Sequence, residues 1–400
     1  MSKHTALLIG DARMAFPVAR ALSRAGHNVH AGVSIYSNYL EWSRYIDKSF
    51  AHASLEPGTD EALADIEAWL VSHPEIDTVQ PVSEAGARFV ARHQDLFEAH
   101  ATVVSPGKAI VDKAYDKTGM FELCASLDGP LAPYRAIASM DELRAAIDEI
   151  GYPFILKPSK VDAYIFGGKA LILHNQEDLS REFPHWPEIH PELILQRYLT
   201  GRRHSVIFSA KEGRLLGAVE ICAARTHIND GTGNTTYGIT IEPTPEIRDS
   251  VERFVSALNY TSTGCLQYLV SPKDREITFM ELNPRVSLAR LAECAGLPHS
   301  LWGLALAHGE EVDGFDDPWS LPSGVEYVWT KGELTLLGSL FRRGEIGFGE
   351  FTSRFGRAVF DIPRCHHAVF DIVDPLPAIG VYGNKLIAPI RKTLTGRQMG

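Results

Sequence analysis

An α/β fold, α+β in part, is the class this sequence predicts, and three observations carry it. Short apolar runs alternate with helix-patterned segments from the N-terminus onward, which implies a parallel sheet with right-handed crossovers. Further along, a short apolar run, 265–270 (CLQYLV), and a second strand-like segment, 280–285 (MELNPR), lie on either side of the polar turn 271–275 and read as a hairpin. The length, 400 residues, suits two to three domains with ample chain for a core.

Taken in order, residues 5–10 (TALLIG) read as a buried strand and 17–25 as an amphipathic helix. Residues 27–33 form a second strand. A helix over 60–72 has Leu63, Ile66 and Leu70 at three- and four-residue spacing, and 77–82 is another strand. Residues 1–108 thus form a Rossmann-like domain. Its first turn, Gly10-Asp11-Ala12-Arg13-Met14, is not the dinucleotide fingerprint G-x-G-x-x-G, so no dinucleotide is expected there. Arg13, Ser83 and Glu84 stand at strand ends where a ligand can sit, and Ser83 also suits a helix N-cap.

In 109–310, a helix over 140–150 is stopped by Gly151-Tyr152-Pro153. Strands 154–157 and 170–173 bracket a Gly-rich turn, and 205–210 and 215–223 are further strands. Between 225 and 237 runs a polar, Gly-rich stretch bearing Arg225 and His227. Residues 311–400 read as a β-rich extension, with strands over 323–331, 357–362 and 367–373. His366 and His367, neighbours in such a strand, point to opposite faces and chelate poorly.

Composition narrows the function. Apolar content of 45% and charged content of 22% are those of a soluble globular protein. The net charge of −11 argues against a general binder of nucleic acid or membrane surfaces. No apolar run approaches a membrane span, and the first ten residues lack a signal peptide's apolar core. Five scattered cysteines without a C-x-x-C pair fit a reduced, cytoplasmic setting.

Chemistry concentrates in the hairpin. Glu281 and Asn283 are two apart on a strand, so they share a face. Carboxylate and amide oxygens suit Mg²⁺ (or Mn²⁺), which shares hard oxygen ligands with phosphates. Arg285 adds a fixed positive charge for a transferring phosphoryl group. Lys157 ends the apolar run 154–156, at the edge of a buried sheet.

These residues resemble the ATP-grasp superfamily, whose metal-binding strand commonly reads E-x-N-P-R. The other motifs of that family have matches here in the family's order. Asp116-Lys117, before a helix and a proline-bearing turn, looks like the first phosphate-contacting lysine. Lys113 is its rival, and the distance to Pro130 favours Lys117. Lys157 looks like the second. Gly167 and Gly168, with Lys169, look like the loop over the triphosphate, where absent Cβ atoms let backbone N–H groups approach phosphate oxygens. Residues 193–201 look like the adenine hinge, which implies nucleotide contacts from Gln196, Arg197, Tyr198 and Leu199. The run 198–204 is similar to the biotin carboxylase hinge, which implies His204 near the ribose, with Arg203 where many members carry a ribose-binding Glu. Gln267 completes the metal set with Glu281 and Asn283, in a Gln and spacing similar to those of carbamoyl phosphate synthetases.

The resemblance covers roughly half the chain. It implies a pre-ATP-grasp domain (1–108), an ATP-grasp domain (109–310, lid about 130–197) and an extension (311–400). The implied activity is an ATP-dependent carboxylate–amine ligase that forms an acyl phosphate, with small acid and amine substrates and a possible homodimer. Arg225 would border the acceptor site, and Arg290 is a further candidate for a substrate charge. The alternatives are a nucleotide-binding regulator without turnover, a carboxylase and a carboxylate–thiol ligase.

Overall fold

The computed structural model describes residues 2–10, 12–34, 39–56, 61–160, 163–182, 192–226 and 233–383. Its first layer contains β1 (Thr5–Ile9), α1 (Ala12–Arg24), β2 (Asn28–Ser34), β3 (Lys48–His52) and α2 (Glu61–Ser72). It continues with β4 (Thr78–Pro81), α3 (Glu84–Arg92), α4 (Gln94–His100) and β5 (Thr102–Val103). The strands pair in parallel in the order β3-β2-β1-β4-β5. Every residue of β1 is buried, as befits a parallel strand covered on both faces. Leu7, Ile9 and Val79 face Ile66, Leu70, Phe89 and Phe97, while Ala6 and Leu8 share a core with α1.

Strand order reverses at β1, so a crevice opens between the carboxyl ends of β1 and β4. Gly10 and Ser83 floor it. Gly10 has φ +133°, and a Cβ there would lie 2.3 Å from Ser83 Oγ, so only glycine fits. Ser83 caps α3, its Oγ accepting from the Gly86 N–H at 3.0 Å.

A second body follows. Helices α5 (Lys108–Ala114) and α6 (Lys117–Ser126) lead into β6 (Tyr134–Ile137), α7 (Met140–Ile150), β7 (Phe154–Pro158), β8 (Leu171–Leu173), α8 (Gln176–Glu182) and β9 (Leu193–Arg197). These four strands form a sheet ordered β6-β9-β7-β8, with a separate core of Ile137, Leu143, Phe154, Leu156 and Leu195.

The third sheet is the largest. It comprises β10 (Arg202–Lys211), β11 (Arg214–Thr226), β12 (Thr235–Ile241), α9 (Pro245–Ala257), β13 (Ser262–Val270) and β14 (Ile277–Asn283). Helices α10 (Ala289–Cys294) and α11 (His299–Ala307) pack on it, before β15 (Glu326–Val328), α12 (Thr330–Arg342), α13 (Phe348–Asp361) and β16 (His366–His367). The strand order is β14-β13-β10-β11-β12-β15-β16. One face buries Val206, Phe208, Tyr268 and Phe279 against Phe254 and Val251 of α9. The other buries Ile207, Val219 and Ile221 against α10, α11 and α1.

The β-rich reading of 311–400 is corrected. Among the described residues this region contributes two short strands, β15 and β16, to the edge of the third sheet, and it is mainly helical. Residues 357–361 are the last turns of α13. The six-residue stretch read as a strand hides a longer period: Phe348, Phe351, Phe355 and Val359 recur at three and four. Phe351 and Leu336 pack beside Leu337, Leu340 and Ile346 to join α12 and α13.

Candidate active site

β13 and β14 are antiparallel, with Cys265 opposite Asn283 and Gln267 opposite Glu281. The register then slips, and Tyr268 pairs with Phe279, leaving Met280 as a bulge. The slip decides the chemistry. Strict alternation puts Phe279, Glu281 and Asn283 on one face. The bulge instead sends Phe279 into the α9 core and turns Glu281 and Asn283 to the other side. There, Gln267, Glu281, Asn283 and Arg285 line a cleft of about 690 Å³ facing the β1–β4 crevice.

Opposite them stand Gly10, Arg13, Ser83 and Glu84, the strand-end residues of the first domain. Lys169 and Tyr164 reach in from the Gly-rich turn. Five cations (Arg13, Arg88, Lys169, Arg203, Arg285) and three carboxylates (Glu56, Glu84, Glu281) are among the described lining residues. In a chain of net charge −11 this is a local positive field, which concentrates anions.

The cations nearest the metal-type residues are held by neutral acceptors. Arg285 donates to Asn283 Oδ1 (3.1 Å), Ser287 Oγ (3.0 Å) and the Val286 carbonyl (3.0 Å). Arg203 donates to the Gly233 carbonyl (2.6 Å) and Thr235 Oγ1 (2.9 Å). Burial lowers the Arg203 pKa, partly countered by nearby Glu281. The Lys157 ammonium donates to Gln196 Oε1 (2.9 Å) and lies 4.6 Å from the Phe121 ring centroid. Burial, reinforced by Lys117 and opposed by Glu281, pushes Lys157 down to about 7. Lys117 opens α6, which Asp116 caps, and its Nζ donates to the Pro158 carbonyl at 3.3 Å. The rival Lys113 is exposed at the end of α5.

The donor set fits Mg²⁺. Glu281 supplies the charge, Gln267 and Asn283 supply amide oxygens, and substrate phosphate would complete the shell. The Asn283 amide is fixed on both sides, donating to Glu281 Oε1 (2.9 Å) and accepting from Arg285.

The other expected nucleotide contacts are distributed as follows. Phe166 and Gly167 take positive φ, +49° and +71°, in a turn closed by paired bonds between Ile165 and Gly168. Gln196 on β9 links the sheets, accepting from Lys157 and donating to Thr278 Oγ1 at 3.5 Å. The Arg197 and Tyr198 N–H groups already serve the carbonyls of Pro133 and Pro153. The Arg197 guanidinium pairs with Glu276. Leu199 follows β9 in the half-buried link to β10.

Two expected site residues are engaged away from the cleft. His204 pairs with Tyr268 across β10–β13, on the core side of the sheet. There its Nδ1 meets Glu220 Oε1 at 2.6 Å, and Glu220 also accepts from the Thr244 N–H and hydroxyl. Burial opposes the charged ring, but bonds to Cys222 and Glu220 carry the pKa up to about 9. The neighbouring Arg203 faces the cleft, because successive strand residues alternate. Arg225, on β11, is not among the cleft residues. It forms ion pairs with Glu333 (3.0 Å) and Asp361 (2.5 Å) and lies over the Tyr237 ring. Arg290 lines a different cavity, and His227 falls outside the described residues.

Ser34, His52, Arg88 and Ser287 also line the cleft without a motif to announce them. Ser34 ends β2, and strand ends in an open parallel sheet were the available signal. Tyr115 lies beside Arg285, its pKa pushed up to about 12 by burial.

Comparison with known proteins gives the family. Residues 116–314 match the family model described as "Carbamoyl-phosphate synthase L chain, ATP binding domain". The C-terminal section of the carbamoyl phosphate synthase large chain of Methanopyrus kandleri is 24% identical over 215 residues. That alignment covers 50% of this chain and 39% of that protein, so the match spans about two fifths of its length. Among solved structures, the biotin carboxylase domain of the Hydrogenobacter thermophilus 2-oxoglutarate carboxylase, with MgADP and bicarbonate, superposes with TM-score 0.62. It is 19% identical, over 82% of this chain and 74% of that one. N5-carboxyaminoimidazole synthetase from Staphylococcus aureus gives TM-score 0.62 at 15% identity, over 86% and 87%. At such identities the likeness is one of fold.

Proposed function

Residues 116–314 form an ATP-grasp domain of the carbamoyl-phosphate synthase ATP-binding family, and on that premise we propose an ATP-dependent carboxylate–amine ligase. Dependence on ATP and Mg²⁺ is typical of that family. The observation that carries the finer reading is the set of cations bonded to neutral acceptors, Arg203 and Arg285 in the cleft and Lys157 within the field of Glu281. Lys157, Arg203 and Arg285 have no carboxylate partner among the described residues. An anionic substrate completes them.

Lys157 and Lys117 would neutralise phosphate oxygens, with N–H groups of the 166–168 turn and Lys169 closing over them. Gln267, Glu281 and Asn283 would hold the metal ion, which would supply positive charge to offset that of the phosphates. Arg285 faces the charge that develops as a substrate carboxylate attacks the γ-phosphate. That step forms an acyl phosphate and ADP. An amine then attacks the acyl carbon and expels phosphate, leaving an amide. No side chain must act as a strong base, so catalysis is positioning and electrostatics. The first domain supplies Arg13, Arg88, Glu84 and Ser83 to grip the acid and the amine. We divide the chain accordingly at 1–108, 109–310 and 311–400. Carboxylate substrates are drawn by the local positive field and not by the net charge of the chain.

The test is ADP and phosphate release from MgATP with pooled small acids and amines, with mass spectrometry of each active pair. Release that needs both, with a product lighter than their sum by one water, is expected. AMP in place of ADP overturns the mechanism, and release with an acid alone points to a different acceptor.

A further inference from the structure

A second cavity, of about 300 Å³, lies between α1, α10 and the start of α11, and it shares no lining residue with the cleft. Three guanidinium groups converge on it. Arg20 and Arg24 are one turn apart on α1, and Arg290 opens the facing side from α10. Their carboxylate supply is short. Asp371 takes Arg20 Nε at 2.7 Å and Arg24 at 3.7 Å, one carboxylate for two arginines. Glu293 lines the same wall, but it accepts from the Ser300 hydroxyl, and burial pushes its carboxyl up to about 7. Arg20 is 4% exposed, and among the described residues its Nη1 has no hydrogen-bond partner; nor has the buried Nε of Arg290.

Buried guanidinium N–H groups left without a partner carry a desolvation cost, and native interiors normally satisfy them. A planar guanidinium matches carboxylate and phosphate oxygens in pairs. We infer that this cavity is a second anion site, taking a small metabolite through a carboxylate or phosphate group. Leu297, Pro298 and Leu301 give it an apolar side for a short carbon skeleton, and the volume sits at the small end of ligand pockets. The site touches the cleft by continuity: α10 follows directly on Arg285, Ser287 and Leu288, so an anion on Arg290 steadies the end of the cleft wall.

The test is titration of the full chain with sodium phosphate and with succinate, separately, at constant ionic strength, by calorimetry and thermal shift. Saturable binding of either anion, one per chain, is expected. Phosphate alone assigns a phosphoryl ligand, succinate alone a carboxylate, and both assign the shared oxyanion chemistry. Binding should weaken at least tenfold in Arg290→Gln and measurably in Arg24→Gln, and survive in Arg285→Gln. Arg24 is 55% exposed, so its variant keeps the test alive should Arg290→Gln misfold. Absence of saturation, wild-type binding in both Arg24→Gln and Arg290→Gln, or loss confined to Arg285→Gln would each overturn the proposal. The readout needs no turnover, so failure of the ligase reading leaves it standing.

Discussion

The two sides of the third sheet treat positive charge in opposite ways. On the core and outer edge, two cations have carboxylates: Arg225 has Glu333 and Asp361, and His204 has Glu220. Toward the cleft, Arg203 and Arg285 lean on carbonyls, hydroxyls and an amide, as Lys157 of the neighbouring sheet leans on the Gln196 amide. The first arrangement is finished within the chain, and substrate has nothing to add. The second leaves charge uncompensated, and an anion is the group that balances it. Motif position alone does not separate these cases; the partner does.

That contrast can be broken from either side. The largest effect is expected on the open side. Arg285→Gln should cost about 10²–10³ in turnover, measured as ADP release, with little change in thermal stability, because the lost charge acts on the transition state. On the closed side the outcome inverts. Glu333→Gln takes away one of the two carboxylates on Arg225 and should cost about 2 kcal/mol in denaturant unfolding, the scale of a lost hydrogen bond to a charged group, with Asp361 still in place. If Glu333→Gln instead lowered turnover in a fully stable protein, Arg225 would belong to the active site after all.

A pH series sharpens the comparison. Lys157, pushed down to about 7, binds phosphate as the ammonium. The neutral amine grows as pH rises, so MgATP affinity should fall above pH 7, by up to about tenfold per unit. Lys157→Gln should bind more weakly and show a flat profile in the same calorimetric titration. His204, held near 9 by Glu220, keeps its charge across this window and adds no slope. The smallest effect is at the loop. Gly167→Ala meets no atom within 4 Å but must adopt φ +71°, a strain of about 1 kcal/mol. It should raise the KM for ATP severalfold and leave kcat nearly unchanged.

Much of the fold was legible. β1, β2, β4, α2 and α7 follow from apolar period and from stop residues such as Gly151 and Pro153, which act locally. The ordered motifs pointed to the ATP-grasp domain because each needs particular side chains at a strand end or turn. The C-terminal region was misread because Gly349 and Gly356 dilute the helical period of α13, and a six-residue window saw only its β-branched and aromatic end. The placement of His204 and Arg225 away from the cleft was not legible, because a resemblance gives a position along the chain, while the face a strand residue occupies depends on pairing register.

By itself, then, the sequence determined the α/β class, the parallel first domain and the residues proposed to hold phosphate and metal. Those are matters of local period and side-chain type, written within a few residues. Tertiary structure decided which of them meet. The bulge at Met280 turns Glu281 from the side of Phe279 to the side of Arg285. The facing strands put Arg203 in the cleft and His204 in the core, and Glu333 and Asp361, more than a hundred residues away, claim Arg225. Pairing register and long-range charge partners depend on chain segments that no local pattern connects.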